Sequence, residues 1–161
     1  MSTGSARDFD SRFVGHIPVR VNDIDETREF YARTLGLRHS GTAGLREDAI
    51  NVMTRDAICF MSCGDLHHDF AGFQAHDSSF RVVPVTADDF HHLSFTLRPG
   101  TSLDAFREHL RSVGVDFADG ASLPDPTGTY GADNCVTFRD PNGHFVEVHS
   151  AEVDVDVHPN A

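Results

Sequence analysis

The chain is 161 residues long, enough for one domain or for two small modules that share a core. Thirteen Lys and Arg against 25 Asp and Glu give a net charge of −12, which repels phosphate over most of the surface and excludes nucleic acid and anionic membranes as expected partners. Three cysteines without CxxC spacing, the lack of any apolar run near the roughly 20 residues of a membrane span, and a polar N-terminus argue against a disulfide framework, a membrane anchor and export, and so for a cytoplasmic protein.

Residues 1–12 are small and polar and read as a flexible leader. Phe13 to Val21 alternates with apolar and β-branched residues and predicts a strand. Asp23-Ile-Asp-Glu then places acidic side chains at a helix start, and Ile24, Phe30, Tyr31 and Leu35 keep near-helical spacing up to Gly36. Three strands are expected next, near 37–46, at Ala57–Cys63 and at His68–Gln74, which completes a βαβββ module over about 13–74. Residues 75–90, with Asp77-Ser-Ser and Pro84, read as a linker. The pattern restarts over about 91–150: a strand at His91–Leu97, a helix from Ser102 to about Val113 ended by Gly114, and strands near 115–118, 134–139 and 144–149. Leu103, Phe106, Leu110 and Val113 share one helix face, and Thr101 or Ser102 can cap it. Asp119–Asp133 reads as a loop, Asp140-Pro-Asn-Gly143 as a hairpin turn, and 151–161 as a flexible acidic tail.

The repeat has a constant interval: His16 and His92 open equivalent strands and Phe30 and Phe106 lie on the following helices, with 92 − 16 = 106 − 30 = 76. Glu147 stands on the last strand, just past the tight turn. A single strand histidine is more often a satisfied core or rim residue, but a position that carries His in both copies calls for a shared cause. Two imidazoles and one carboxylate make the facial set of a non-haem iron(II) site, and manganese(II) is accepted by the same ligands. The expected fold class is α+β, two tandem βαβββ modules, and if their sheets pair into one open barrel the three positions can converge around a metal site. In Leu66-His67-His68-Asp69-Phe70-Ala71, on the predicted fourth strand, His68 is the expected acid–base residue, because an imidazole titrates near neutral pH. His39, His76, His109 and His158 read as surface or structural residues.

The series His16, Phe30-Tyr31-Ala-Arg-Thr-Leu-Gly36-Leu, His67-His68-Asp-Phe-Ala, His91-His92-Leu-Ser-Phe, Phe138-Arg-Asp-Pro-Asn-Gly and Glu147 resembles the vicinal oxygen chelate superfamily. That group includes glyoxalase I, bleomycin-resistance proteins, fosfomycin-resistance enzymes and type I extradiol ring-cleaving dioxygenases. The resemblance spans about 13–150 as one domain and is strongest to single-domain extradiol dioxygenases. It implies iron(II) on His16, His92 and Glu147, a catechol-like aromatic and dioxygen as substrates, His68 as acid–base residue, and His67, Thr137 and His149 against the substrate. Thr137 stands where such dioxygenases often carry Tyr, and Tyr130 in the preceding loop is expected to take over a hydrogen-bonding role in catalysis. Folds of this kind often form homodimers through sheet edges. Two alternatives stay open: a metal-dependent isomerase or transferase of the glyoxalase or fosfomycin-resistance kind, and a non-catalytic protein that sequesters a small molecule.

Overall fold

A computed structural model of the chain describes residues 15–43, 57–64, 66–74, 82–84, 92–121, 131 and 133–150. Among these residues the elements are β1 (Ile17–Val21), α1 (Ile24–Leu35), β2 (Arg38–Ala43), β3 (Ala57–Ser62), β4 (Phe70–Gln74), β5 (His92–Thr96), α2 (Leu103–Ser112), β6 (Phe117–Asp119), β7 (Cys135–Arg139) and β8 (Phe145–His149). The order is βαβββ twice. Two four-stranded sheets repeat one topology, β1-β4-β3-β2 and β5-β8-β7-β6. In each, the first strand lies parallel to the last and the remaining pairs are antiparallel.

Local chemistry sets the helix limits. The Asp23 carboxylate accepts from the amides of Asp25 and Glu26 at 2.8 and 2.9 Å, and Gly36 ends α1 at φ +69°, which only glycine adopts freely. Ser102 caps α2 by accepting from the Ala105 amide at 3.1 Å. Strand alternation sends Cys59, Met61 and Phe70 from the first sheet, and Val136, Phe138, Val146 and Val148 from the second, into one core with Phe30, Tyr31, Leu103, Phe106 and Leu110. Phe30 lies 6.1 Å from Phe138, so α1 packs on the second sheet as well as on its own. His109, expected to be structural or solvated, bonds through Nε2 to the Arg33 carbonyl at 2.9 Å.

Two elements differ from expectation. The predicted strand at His68–Gln74 starts only at Phe70, so His67 and His68 lie in the turn before β4. Asp69 closes that turn: its amide donates to the Met61 carbonyl at 3.0 Å and its carboxylate accepts from the Cys63 amide at 2.9 Å. The strand expected at 115–118 begins at Phe117, because the Val115 amide still donates to the Leu110 carbonyl at 2.9 Å as the chain leaves α2. Phe13, Val14, residues 44–46, His91 and most of the linker and of the 119–133 loop lie outside the described residues.

The 140–143 turn joins the two modules. The buried Asp140 carboxylate accepts from the Tyr31 hydroxyl at 3.1 Å, Asn142 Nδ2 at 3.1 Å and His144 Nδ1 at 2.9 Å, and from the amides of Asn142 and His144 at 2.9 and 2.8 Å. Asn142 also donates to Thr27 Oγ1 at 3.1 Å and accepts from the Asn22 amide at 2.7 Å. Burial alone would raise the Asp140 pKa, but the hydrogen bond and charge of His144, with help from Asn142, hold it below the ordinary 3.8. Burial, and then the charge of Asp140, push the Tyr31 hydroxyl well above its usual value, so it stays a donor.

A carboxylate whose folded pKa is depressed adds stability that is complete above its unfolded pKa and is lost as the pH falls through the folded value. Asp140→Asn should therefore cost on the order of 3 kcal/mol in urea unfolding at pH 7, with the difference from wild type shrinking below about pH 4. An equal difference at both pH values would contradict the assignment. Gly143 has φ +88°, and a Cβ there would stand 2.6 Å from Pro84 Cα. Gly143→Ala should lower stability by about 2 kcal/mol, read as a lower thermal midpoint, whereas an unchanged midpoint would contradict the close approach.

Candidate metal centre

Register decides which side chains share the polar face of the second sheet. Parallel pairing of β5 with β8 sets Ser94 beside Glu147 and Thr96 beside His149, and antiparallel pairing sets Cys135 opposite His149 and Thr137 opposite Glu147. Period-two alternation then puts His92, Ser94, Thr96, Cys135, Thr137, Phe145, Glu147 and His149 on one face, away from the core valines. His92 Nε2 lies 3.5 Å from Glu147 Oε2, with the His92 side chain 32% exposed and the Glu147 side chain 5%. Two donors at that separation can share one cation, because bonds of about 2.1 Å at right angles put ligand atoms roughly 3 Å apart. A neutral imidazole beside a carboxylate is also a donor pair that suits iron(II), manganese(II) or zinc(II).

His16 precedes β1, whose edge faces the same seam. Ile17, Pro18, Val19 and Arg20 border a cavity of about 360 Å³ together with His92, Leu93 and His144. A larger cavity of about 800 Å³ lies between the end of α1, β5 and α2 and meets the polar face only at the edge of β5, including Ser94 and Thr96. The smaller cavity contains a candidate metal donor and is the better substrate space. The His16 ring sits 4.8 Å from that of His68, which packs on Phe60 at 4.6 Å. His67 and His68 meet through their Nδ1 atoms at 2.8 Å. Burial, then the neighbouring His16 and His67, lower the His68 pKa. The structure thus brings His92 to Glu147 and His16 to His68, as two pairs.

His149, expected against the substrate, lies with Nε2 2.7 Å from Ser94 Oγ and 3.9 Å from Glu147 Oε2. Burial lowers its pKa, and Glu147 partly offsets this. The Thr137 hydroxyl donates to the Gly120 carbonyl at 2.7 Å, so this side chain is tied to the loop that follows β6. Tyr130 lies outside the described residues. Sequence reasoning misses Cys135. Among the described residues, Cys135, Glu147 and His149 are the His, Cys, Asp or Glu set whose donor atoms all lie within 4.8 Å of one another. The signal that could have found it is the turn at 140–143, which dictates that Cys135 and His149 stand opposite each other.

The repeat also assigns a counterpart to Glu147. Ile17 pairs with Phe70 and Leu93 with Val146, and 93 − 17 = 146 − 70 = 76, so the counterpart is 147 − 76 = 71, the fully buried Ala71. His67 and His68, expected on the fourth strand, lie in the turn before it. The nearest carboxylate, Asp69, is engaged by the Cys63 amide and by Ser62 Oγ at 3.3 Å. Burial raises its pKa, but these donors outweigh burial and hold it low.

Solved structures share this architecture. Glyoxalase I of Leishmania major aligns with a TM-score of 0.62 at 17% identity, covering 87% of this chain and 87% of that one. A point mutant of the fosfomycin resistance protein FosX of Listeria monocytogenes, complexed with Mn(II) and 1S,2S-dihydroxypropylphosphonic acid, aligns at 0.58 and 16%, covering 87% and 93%. An integron cassette protein from the mobile metagenome of V. cholerae aligns at 0.54 and 20%, covering 89% and 98%. At these identities the likeness speaks to the fold. The family model of the glyoxalase/bleomycin resistance protein/dioxygenase superfamily matches residues 13–148, and the chain belongs to that superfamily.

Proposed function

We propose that the chain is an iron(II)-dependent dioxygenase that opens a catechol-like ring beside its vicinal diol, with the cation held by His16, His92 and Glu147 where the two sheets form an open barrel. The observation that carries this reading is Ala71. A methyl group stands where a fourth protein ligand would come from the first module, so a metal held by His16, His92 and Glu147 would keep room for exogenous ligands. Bound iron(II) would supply Lewis acidity toward the diol and a redox partner for dioxygen.

The remaining steps fall to the protein. Glu147 would be the one anionic ligand, so a divalent cation held there would favour a singly deprotonated diol. One proton must therefore leave the substrate. His68 accepts it, and because its Nδ1 is taken up by His67, the transfer falls to Nε2. The cavity of about 360 Å³ beside His92 suits a single-ring substrate.

A second reading, a metal-dependent addition to or isomerisation of a vicinal-oxygen substrate, has one observation in its favour. The Listeria relative holds Mn(II) with a diol phosphonate. Oxygen uptake with catechols under iron, compared with diol formation from an epoxide under manganese, separates the two.

Two variants test the residues. His92→Ala should weaken iron binding by at least about 100-fold in protein purified without oxygen, and unchanged metal content would remove the centre altogether. His68→Gln should lower kcat by about 10² to 10⁴ while metal content stays at the wild-type level, and an unaffected kcat would take His68 out of the proton transfer.

A further inference from the structure

Behind His92 the second sheet carries another donor set. Cys135, Glu147 and His149 are all buried, and their donor atoms lie within 4.8 Å of one another. They stand on β7 and β8, the two inner strands of the sheet, with Cys135 and His149 directly paired and Glu147 two residues along on the same face. Ladder hydrogen bonds on both sides hold these backbones, so the set is organised by the sheet and not by a loop. In a tetrahedral zinc site, bonds of about 2.0–2.3 Å place ligand atoms roughly 3.3–3.6 Å apart. Glu147 Oε2 and His149 Nε2, at 3.9 Å, are already close to that spacing. The Ser94 hydroxyl, 2.7 Å from His149 Nε2, reaches the same corner and can bond a water in the fourth position once a cation takes that nitrogen.

Ligand chemistry distinguishes this set from the His16, His92 and Glu147 centre. A thiolate with an imidazole and one carboxylate selects zinc(II) or cobalt(II) over the oxygen-preferring magnesium and manganese. We propose that Cys135, Glu147 and His149 form an inner seat for a thiophilic divalent cation of the zinc class, reached past the partly exposed His92. Binding forms the sulfur–metal bond and releases the Cys135 thiol proton to solvent, with a water as fourth ligand. Glu147 belongs to both sets, so an inner zinc withdraws the carboxylate from the outer iron. This competition rests on the dioxygenase reading; the inner seat does not.

Cobalt(II) titration of the metal-free full chain, under reducing and oxygen-free conditions, reads the seat directly through thiolate-to-cobalt charge-transfer absorption. The band should appear in wild type, persist in His92→Ala and in Cys63→Ser, and vanish in Cys135→Ser. His149→Gln should weaken cobalt binding at least about tenfold. A wild-type chain without the band, a band that survives in Cys135→Ser, or unchanged cobalt affinity in His149→Gln would overturn the seat. The His149 variant keeps the test decisive if Cys135→Ser fails to fold. Loss of the inner seat leaves the iron content of wild type untouched, whereas failure of the outer centre leaves the cobalt band in place, so the two readings fail separately.

Discussion

The buried carboxylate of Asp140 holds the last hairpin of the second module against the helix of the first. Five donors converge on its two oxygens, from Tyr31, Asn142 and His144, and Asn142 extends the network to Thr27 and Asn22. A charge taken out of water is tolerated only with such a complement of donors. Its consequence is positional. The hairpin fixes the register of β7 on β8, and that register puts Cys135, Thr137, Glu147 and His149 on one face. The turn that joins the modules therefore also aims the candidate metal donors.

The second sheet separates its two roles by alternation. Val136, Phe138, Val146 and Val148 point to the helices and are almost fully buried, while the intervening residues supply imidazole, carboxylate, thiol and hydroxyl groups. The first sheet follows the same plan with fewer polar groups: Ala71 stands at the position equivalent to Glu147, and the imidazoles of His67 and His68 come from the turn before β4. In the proposed centre this asymmetry would leave three protein ligands and not four.

Much of the fold is legible in the sequence because its punctuation is chemical. Asp23 and Gly36 mark the ends of α1, Ser102 the start of α2, and the interval of 76 residues the repeat. The misplacements have equally local causes. The apolar run after His68 suggests a strand that includes it, but the Asp69 carboxylate closes a turn on Cys63 and delays the strand. Asp140 reads as turn chemistry alone, since its partner Tyr31 and the network's far end at Thr27 are more than a hundred residues away along the chain. Cys135 escapes notice because metal motifs are sought as spacings along the chain, whereas a sheet assembles its donors across strands.

We propose that the two modules share one cation through His16, His92 and Glu147. X-ray absorption at the iron edge of the iron(II)-loaded chain counts imidazole and sulfur ligands directly. Two imidazoles and no sulfur are expected in wild type, with one imidazole remaining in His16→Ala. Two imidazoles retained in His16→Ala, or a sulfur ligand on iron in wild type, would contradict the shared centre.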